Sequence, residues 1–117
     1  MATRLKNAAV SLTATTLTTV YTCPANFSAV IRELWLTNVD GSNAADITIK
    51  WTDTSASATF SIISTASVAA DSYVRFADAN IILEAGDILK AQAAVANDLM
   101  VSAFIEEQIT QQVRKER

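Results

Sequence analysis

Histidine is absent from this chain, cysteine and proline occur once each, and glycine occurs twice. Each shortage closes a class of function. Without histidine the commonest general base and the commonest zinc ligand are missing, so no imidazole-activated nucleophile and no histidine-built zinc centre is expected. The single cysteine, Cys23, has no partner for an internal disulfide, so nothing points to an oxidising compartment. Standing before Pro24 with no imidazole beside it in sequence, it reads as a small semi-buried apolar side chain. Gly41 and Gly86 lie far apart, so no glycine-rich phosphate cradle is available. There is also no Gly-x-Ser-x-Gly elbow. No run approaches the roughly 18 apolar residues of a membrane span, and residues 1–7 lead into mixed Ala and Thr, unlike a secretory leader. The expectation is a soluble chain made in the cytoplasm, with no membrane partner, no cofactor and no catalytic or metal-binding residues.

What is present points to a packed β domain. At 117 residues the chain suits one domain. Half of it is apolar by count, but much of that is alanine, and the large apolar residues are few. At about 25 cal/mol per Å² of apolar surface buried, such a core leaves a thin margin over chain entropy, and self-association would widen it.

The formal net charge is −3, unevenly spread. Arg4 and Lys6 stand at one end without an acid, and Arg114, Lys115 and Arg117 stand at the other against Glu116. The body between them is acidic. These five cations are the candidate docking residues, reaching from basic arms toward a neighbouring copy or another acidic surface. The alternative is that they are polar because chain ends are solvated. An acidic body without a basic stripe argues against direct nucleic-acid binding.

The hydrophobic pattern has period two. In Asp46-Ile47-Thr48-Ile49-Lys50-Trp51-Thr52 one face carries Ile47, Ile49 and Trp51 while the other is polar, as in a half-buried strand. Strands are expected over residues 17–23, 28–38, 46–52, 58–63, 72–77, 80–83, 88–93 and 99–106. Imperfect alternation at Arg32-Glu33 suggests a bulge or burial on both faces. Turn signals stand at residues 39–43 and at Glu84-Ala85-Gly86-Asp87, where glycine permits positive φ. The fold class expected is all-β: an antiparallel β-sandwich or jelly roll of about eight strands over residues 17–107. Residues 1–16 and 108–117 are expected as polar N- and C-terminal arms, the latter extended or briefly helical.

The carboxylates do not assemble into chemistry. Glu106 and Glu107 are adjacent on a strand, so they point to opposite faces and cannot share a substrate. Asp53, Asp71 and Asp78 lie in turns, where aspartate caps backbone amides. The loop from Asp40 to Asp46 has oxygens spaced loosely like a calcium loop but lacks the glycine placement and terminal glutamate of an EF-hand. Trp35, Trp51 and Phe60 occupy strand positions that read as core. A tryptophan left exposed on a sheet face would instead suit sugar stacking.

The stretch Val20-Tyr21-Thr22-Cys23-Pro24-Ala25, continuing through Ala29-Val30-Ile31 to Thr37-Asn38, resembles a pattern found in small structural proteins of tailed bacteriophages. The turn Leu83-Glu84-Ala85-Gly86-Asp87-Ile88 is similar to one in the same family. Together they bracket residues 17–107. The resemblance implies a non-enzymatic virion component with a β-sandwich fold that works as a homo-oligomer, a trimer being favoured. A capsid decoration (cement) protein seated on the major capsid protein is the leading expectation. A neck, tail or fibre-attachment protein is the alternative, and a glycan-binding host-recognition module is a third reading from a different class.

Overall fold

The computed structural model describes residues 3–110, which form nine strands; among them no helix is long and apolar enough to cross a membrane. In chain order these are β1 (Thr3–Ser11), β2 (Thr18–Thr22), β3 (Phe27–Asn38), β4 (Ala45–Asp53), β5 (Ala58–Val68), β6 (Tyr73–Phe76), β7 (Ile81–Leu83), β8 (Ile88–Ala93) and β9 (Leu99–Ile109). One sheet runs β1-β9-β3-β6, with β7 also on β3; the other runs β2-β8-β4-β5. All pairings are antiparallel.

The pairings nest. β4 pairs with β5, β3 with β6 and β7, β2 with β8, and β1 with β9. The chain is thus one long hairpin whose successive rungs fall alternately in the two sheets. When the hairpin rolls over, β9 meets β3 and β8 meets β4, closing each sheet. That is the jelly roll, the second of the two expected topologies.

The space between the sheets is filled by aliphatic residues at alternate positions. Ile31, Leu34 and Leu36 of β3 and Val101 and Ala103 of β9 face Ile47 and Ile49 of β4 and Leu89 and Ala91 of β8, all fully buried. Trp51 packs against this core from the rim, as its parity with Ile47 and Ile49 predicts. Trp35 and Phe60 do not follow the expectation. Trp35 points outward between the buried Leu34 and Leu36, and Phe60, beside Trp51, is 46% exposed.

Two boundaries also differ. The expected arm over residues 1–16 is mostly strand: β1 pairs with β9 from Thr3↔Gln108 to Ser11↔Met100. Its inward positions are Arg4, Lys6, Ala8 and Val10, so no large apolar residue announces the alternation. At the other end β9 continues through Ile109, drawing Gln108 and Ile109 of the expected C-terminal arm into the sheet. β5 is eleven residues long, beyond the expected end at residue 63, because register shifts opposite Ile47, Ile49 and Lys50 break its period.

The expected turn over residues 84–87 is present, with Gly86 at φ 87°. Asp87 is buried and accepts hydrogen bonds from the Glu84 and Thr54 amides, at 2.9 and 3.1 Å. The Cys23 amide donates to the Asp87 carbonyl and the Gly86 amide to the Cys23 carbonyl, both at 2.9 Å. The two sequence stretches that carry the phage resemblance therefore meet at one end of the sandwich.

Candidate assembly surface

The outer faces of the two sheets differ in chemistry. On the four-stranded sheet the outward positions are mainly polar: Asp46, Thr48, Lys50 and Thr52 on β4, with Ile88, Lys90 and Gln92 opposite on β8. On the five-stranded sheet they include Leu5, Tyr73, Ile82, Met100 and Phe104, exposed at 85, 56, 67, 41 and 42%. Several large apolar side chains exposed on one sheet face mark a candidate contact surface.

Charge crosses this face in an ordered row, and the bulge in β3 creates it. The register steps from Ile31↔Ile105 to Glu33↔Phe104, leaving Arg32 as the extra residue, at the place where the alternation falters in sequence. Two adjacent residues then share the outer face. The Arg32 guanidinium donates to Glu106 at 2.8 Å and to Asn80 at 3.0 Å. The Arg75 guanidinium donates to Glu33 at 3.1 Å, and the Trp35 indole N–H donates to Glu33 at 3.0 Å. Hydrogen bonds from Arg75, then from Trp35, hold the Glu33 carboxyl below the usual carboxylate range, and the same pairing pushes Arg75 up. Trp35 stacks on Tyr73 at 5.0 Å between centroids, and Arg75 lies 5.2 Å from the indole centroid. Trp35 is half-buried, with its ring and its N–H both engaged.

Glu106 and Glu107 point to opposite faces, as their adjacency requires. Glu107 is completely buried between the sheets, where it accepts hydrogen bonds from the Tyr21 hydroxyl and the Arg4 guanidinium. Burial pushes its carboxyl up, but the Tyr21 and Arg4 hydrogen bonds and the Arg4 charge outweigh burial and hold it below the ordinary value. Tyr21 is shifted strongly upward, first by burial and then by Glu107. Sequence reading did not assemble this cluster. The available signal was parity: an acid at an inward position needs a partner, because an unpaired buried charge is prohibitively costly.

The candidate docking residues are accordingly redistributed. Arg4 directs its charge within the chain, onto Glu107, and its guanidinium also lies 4.3 Å from the Phe27 ring centroid. Lys6 is exposed at the sheet edge, beside an open hollow lined by Leu5, Asn7, Arg32, Phe104 and Ile105. Arg114, Lys115 and Arg117 lie outside the described residues.

Asp40 and Asp53 cap turns. Asp40 accepts from the Ser42 and Asn43 amides at 2.8 and 3.2 Å, which holds it below its usual value. Asp53 accepts from the Ser55 hydroxyl and the Ala56 amide, at 2.8 and 3.3 Å. Carboxylate oxygens of Asp53, Glu84 and Asp87 approach within 4.8 Å of one another, but both Asp87 oxygens are already bonded to amides. Cys23 is buried, and burial, followed by the Glu107 and Asp87 charges, pushes its thiol up to about 11.

These features define a jelly-roll β-sandwich with a polar outer face and an apolar, charge-laced one. No protein-family model matches the chain, and no curated protein does either. Among solved structures, a chain of the acidic stable capsid of Helicobacter pylori bacteriophage KHP30 shares the fold with a TM-score of 0.59 at 11% identity. That likeness covers 100% of this chain and 95% of the other. A chain from the disulfide-linked pili of Bacillus endospore appendages has a TM-score of 0.56 at 13% identity, covering 93% of this chain and 89% of that one.

Proposed function

We propose that this chain is a non-enzymatic structural protein of a phage virion, a decoration (cement) protein that binds the outside of the head and reinforces it as a symmetric homo-oligomer. The observation that carries this reading is the coextensive likeness to a phage capsid chain. The asymmetry of the two sheet faces supports the same role, because an assembling protein needs one surface for contact and another for water. Each contact is modest, and repetition by symmetry makes the sum large.

The pilus likeness is the weaker guide. Those pili are disulfide-linked, whereas the described part of this chain buries its one cysteine under the turn over residues 84–87. A neck, tail or fibre-attachment role uses the same fold and separates from decoration by copy number. A glycan-binding role has one observation in its favour, the outward Trp35–Tyr73 stack.

The test is add-back to particles assembled without this chain. Such particles should release DNA at a lower temperature than complete ones, and the purified protein should restore the higher value saturably. Identical release temperatures with and without the chain would contradict reinforcement.

A further inference from the structure

We propose that the open side of the sandwich, between β5 and the β6–β7 margin, binds an extended, uncharged, alternately apolar segment of a partner protein. The segment adds to the β5 edge and sends its inward side chains into the cleft beside it. This goes beyond the decoration reading and does not depend on it.

The edge comes first. β5 ends its sheet, so one side of its backbone has no ladder. Outside the ladder with β4, no backbone–backbone hydrogen bond engages residues 58–68 among the described residues. A free row of N–H and C=O groups is a template for another strand, and proteins guard such edges with charge or shortness. β1 carries Arg4 and Lys6, and β2, β6 and β7 are only five, four and three residues long. β5 has neither guard: it runs eleven residues, and no charged residue stands between Asp53 and Asp71. Two register shifts, at Ile62 and at Ser64-Thr65, confine regular pairing near its start to residues 58–61.

The cleft begins where that quartet ends. Phe60 lies opposite the inward Trp51 yet is 46% exposed, and Ile62, the extra residue of the first shift, is 37% exposed. Across from them the margin of the other sheet is interrupted. β6 and β7 both pair with β3, and residues 77–80 link them outside any ladder. What remains is a solvent-open cleft of about 530 Å³ lined by Leu34, Ile62, Ile63, Phe76 and Ile81. Leu34 belongs to the core, and Ile63, Phe76 and Ile81 pack against it. The cleft is therefore an unfilled margin of the core, within the roughly 300–1,000 Å³ of ordinary ligand pockets.

Edge and cleft together identify the occupant. A small apolar molecule could fill the cleft but leaves the β5 backbone unanswered, whereas an extended polypeptide serves both. Period two sends alternate side chains of that segment into the cleft and the rest to water. The inward ones must be apolar, because a charge among Leu34, Ile63 and Phe76 would find no partner. A second copy is the poorer fit. The inward residues of its β5, Ile63 and Ala66 among them, are already committed to its own core. A segment backed by no second sheet has its side chains free.

The probe is a soluble peptide of alternating threonine and valine with a lysine at each end. Trp51 is the reporter, its ring 5.4 Å from that of Phe60 between centroids, in a Trp35→Phe chain that leaves it the lone indole. Its fluorescence should shift saturably, with half-saturation below about 1 mM. Ile62→Lys should weaken binding about tenfold or more, while Phe104→Ser, on the outer face of the other sheet, should change it less than about twofold. The same peptide N-methylated at its central residues cannot donate to the edge. It should bind the Trp35→Phe chain about tenfold or more weakly, a comparison that needs no variant at the edge or the cleft. No saturable shift up to about 1 mM overturns the proposal. So does equal binding of the N-methylated peptide, which would make the cleft a site for any small apolar ligand. Self-association that Ile62→Lys abolishes overturns it too, by making a second copy the occupant. Peptide binding by a chain absent from particles would sustain this inference and sink the decoration reading. Saturable add-back to particles by a chain that binds no peptide would do the reverse.

Discussion

At the residue scale the most informative group to perturb is the buried trio of Tyr21, Glu107 and Arg4. Tyr21→Phe leaves one Glu107 oxygen without a donor in a dry site, and a loss of about 1–3 kcal/mol in urea unfolding is expected. Acidification works on the same group. The Glu107 carboxyl titrates lower in the fold than in the unfolded chain, so its stabilisation is present above the unfolded value of about 4.3 and disappears as pH falls through the folded one. Glu107→Gln should therefore lower the urea midpoint clearly at pH 7 and much less at pH 3. An equal effect at both would show that the charge is not what matters. Asp98, pushed up by burial and by its neighbour Asp40, carries the opposite sign and favours the fold at lower pH. Cys23 gives a second check. With its thiol buried and raised to about 11, labelling by a thiol reagent at pH 8 should be at least about 100-fold slower than in the urea-unfolded chain. The trio was hidden in sequence because Tyr21 and Glu107 are brought together by two sheets whose register no local pattern reveals. The turn-capping role of Asp53 was legible because it depends on neighbours two or three residues away.

At the element scale the strands were readable where apolar and polar residues alternate, and unreadable where the inner face lacks large apolar groups. β4 announces itself through Ile47, Ile49 and Trp51. The bulge in β3 is visible as a broken alternation at Arg32-Glu33, although its effect, two opposite charges on one face, needs the register of β9. β1 carries Arg4, Lys6 and Ala8 inward and so passes for a polar arm. The same composition makes it the least anchored long strand, paired on one side and mostly exposed. Hydrogen exchange should therefore show β1 amides protected far less than those of β3 and β4. Protection equal to that of β3 would mean that the edge is covered or packed more firmly than its ladder with β9 explains. At the 84–87 turn, Asp87→Ala removes the acceptor for two amides from different loops, and a loss of about 1–3 kcal/mol is expected from thermal or urea unfolding. A loss below about 0.5 kcal/mol, the scale of an ordinary surface change, would show that the turn holds without it.

At the scale of the whole molecule, one sheet meets water and the other presents apolar residues threaded by paired charges. The fold class was legible because short alternating segments with frequent turn signals leave few options beyond a sandwich. Which face would be the adhesive one was not, because Trp35 reads as core until Leu34 and Leu36 are seen to claim the inside. On the proposed role, a jelly roll with a thin aliphatic core and one partly apolar outer face would gain stability when copies assemble on a larger shell. The most direct measurement is the number of copies per purified virion, by quantitative mass spectrometry against the major capsid protein. Decoration predicts on the order of hundreds of copies in simple ratio to that protein, since only the icosahedral shell repeats so often. About a dozen copies would place the chain in a neck, tail or fibre ring instead, and its absence from the particle would contradict a structural role in the virion altogether.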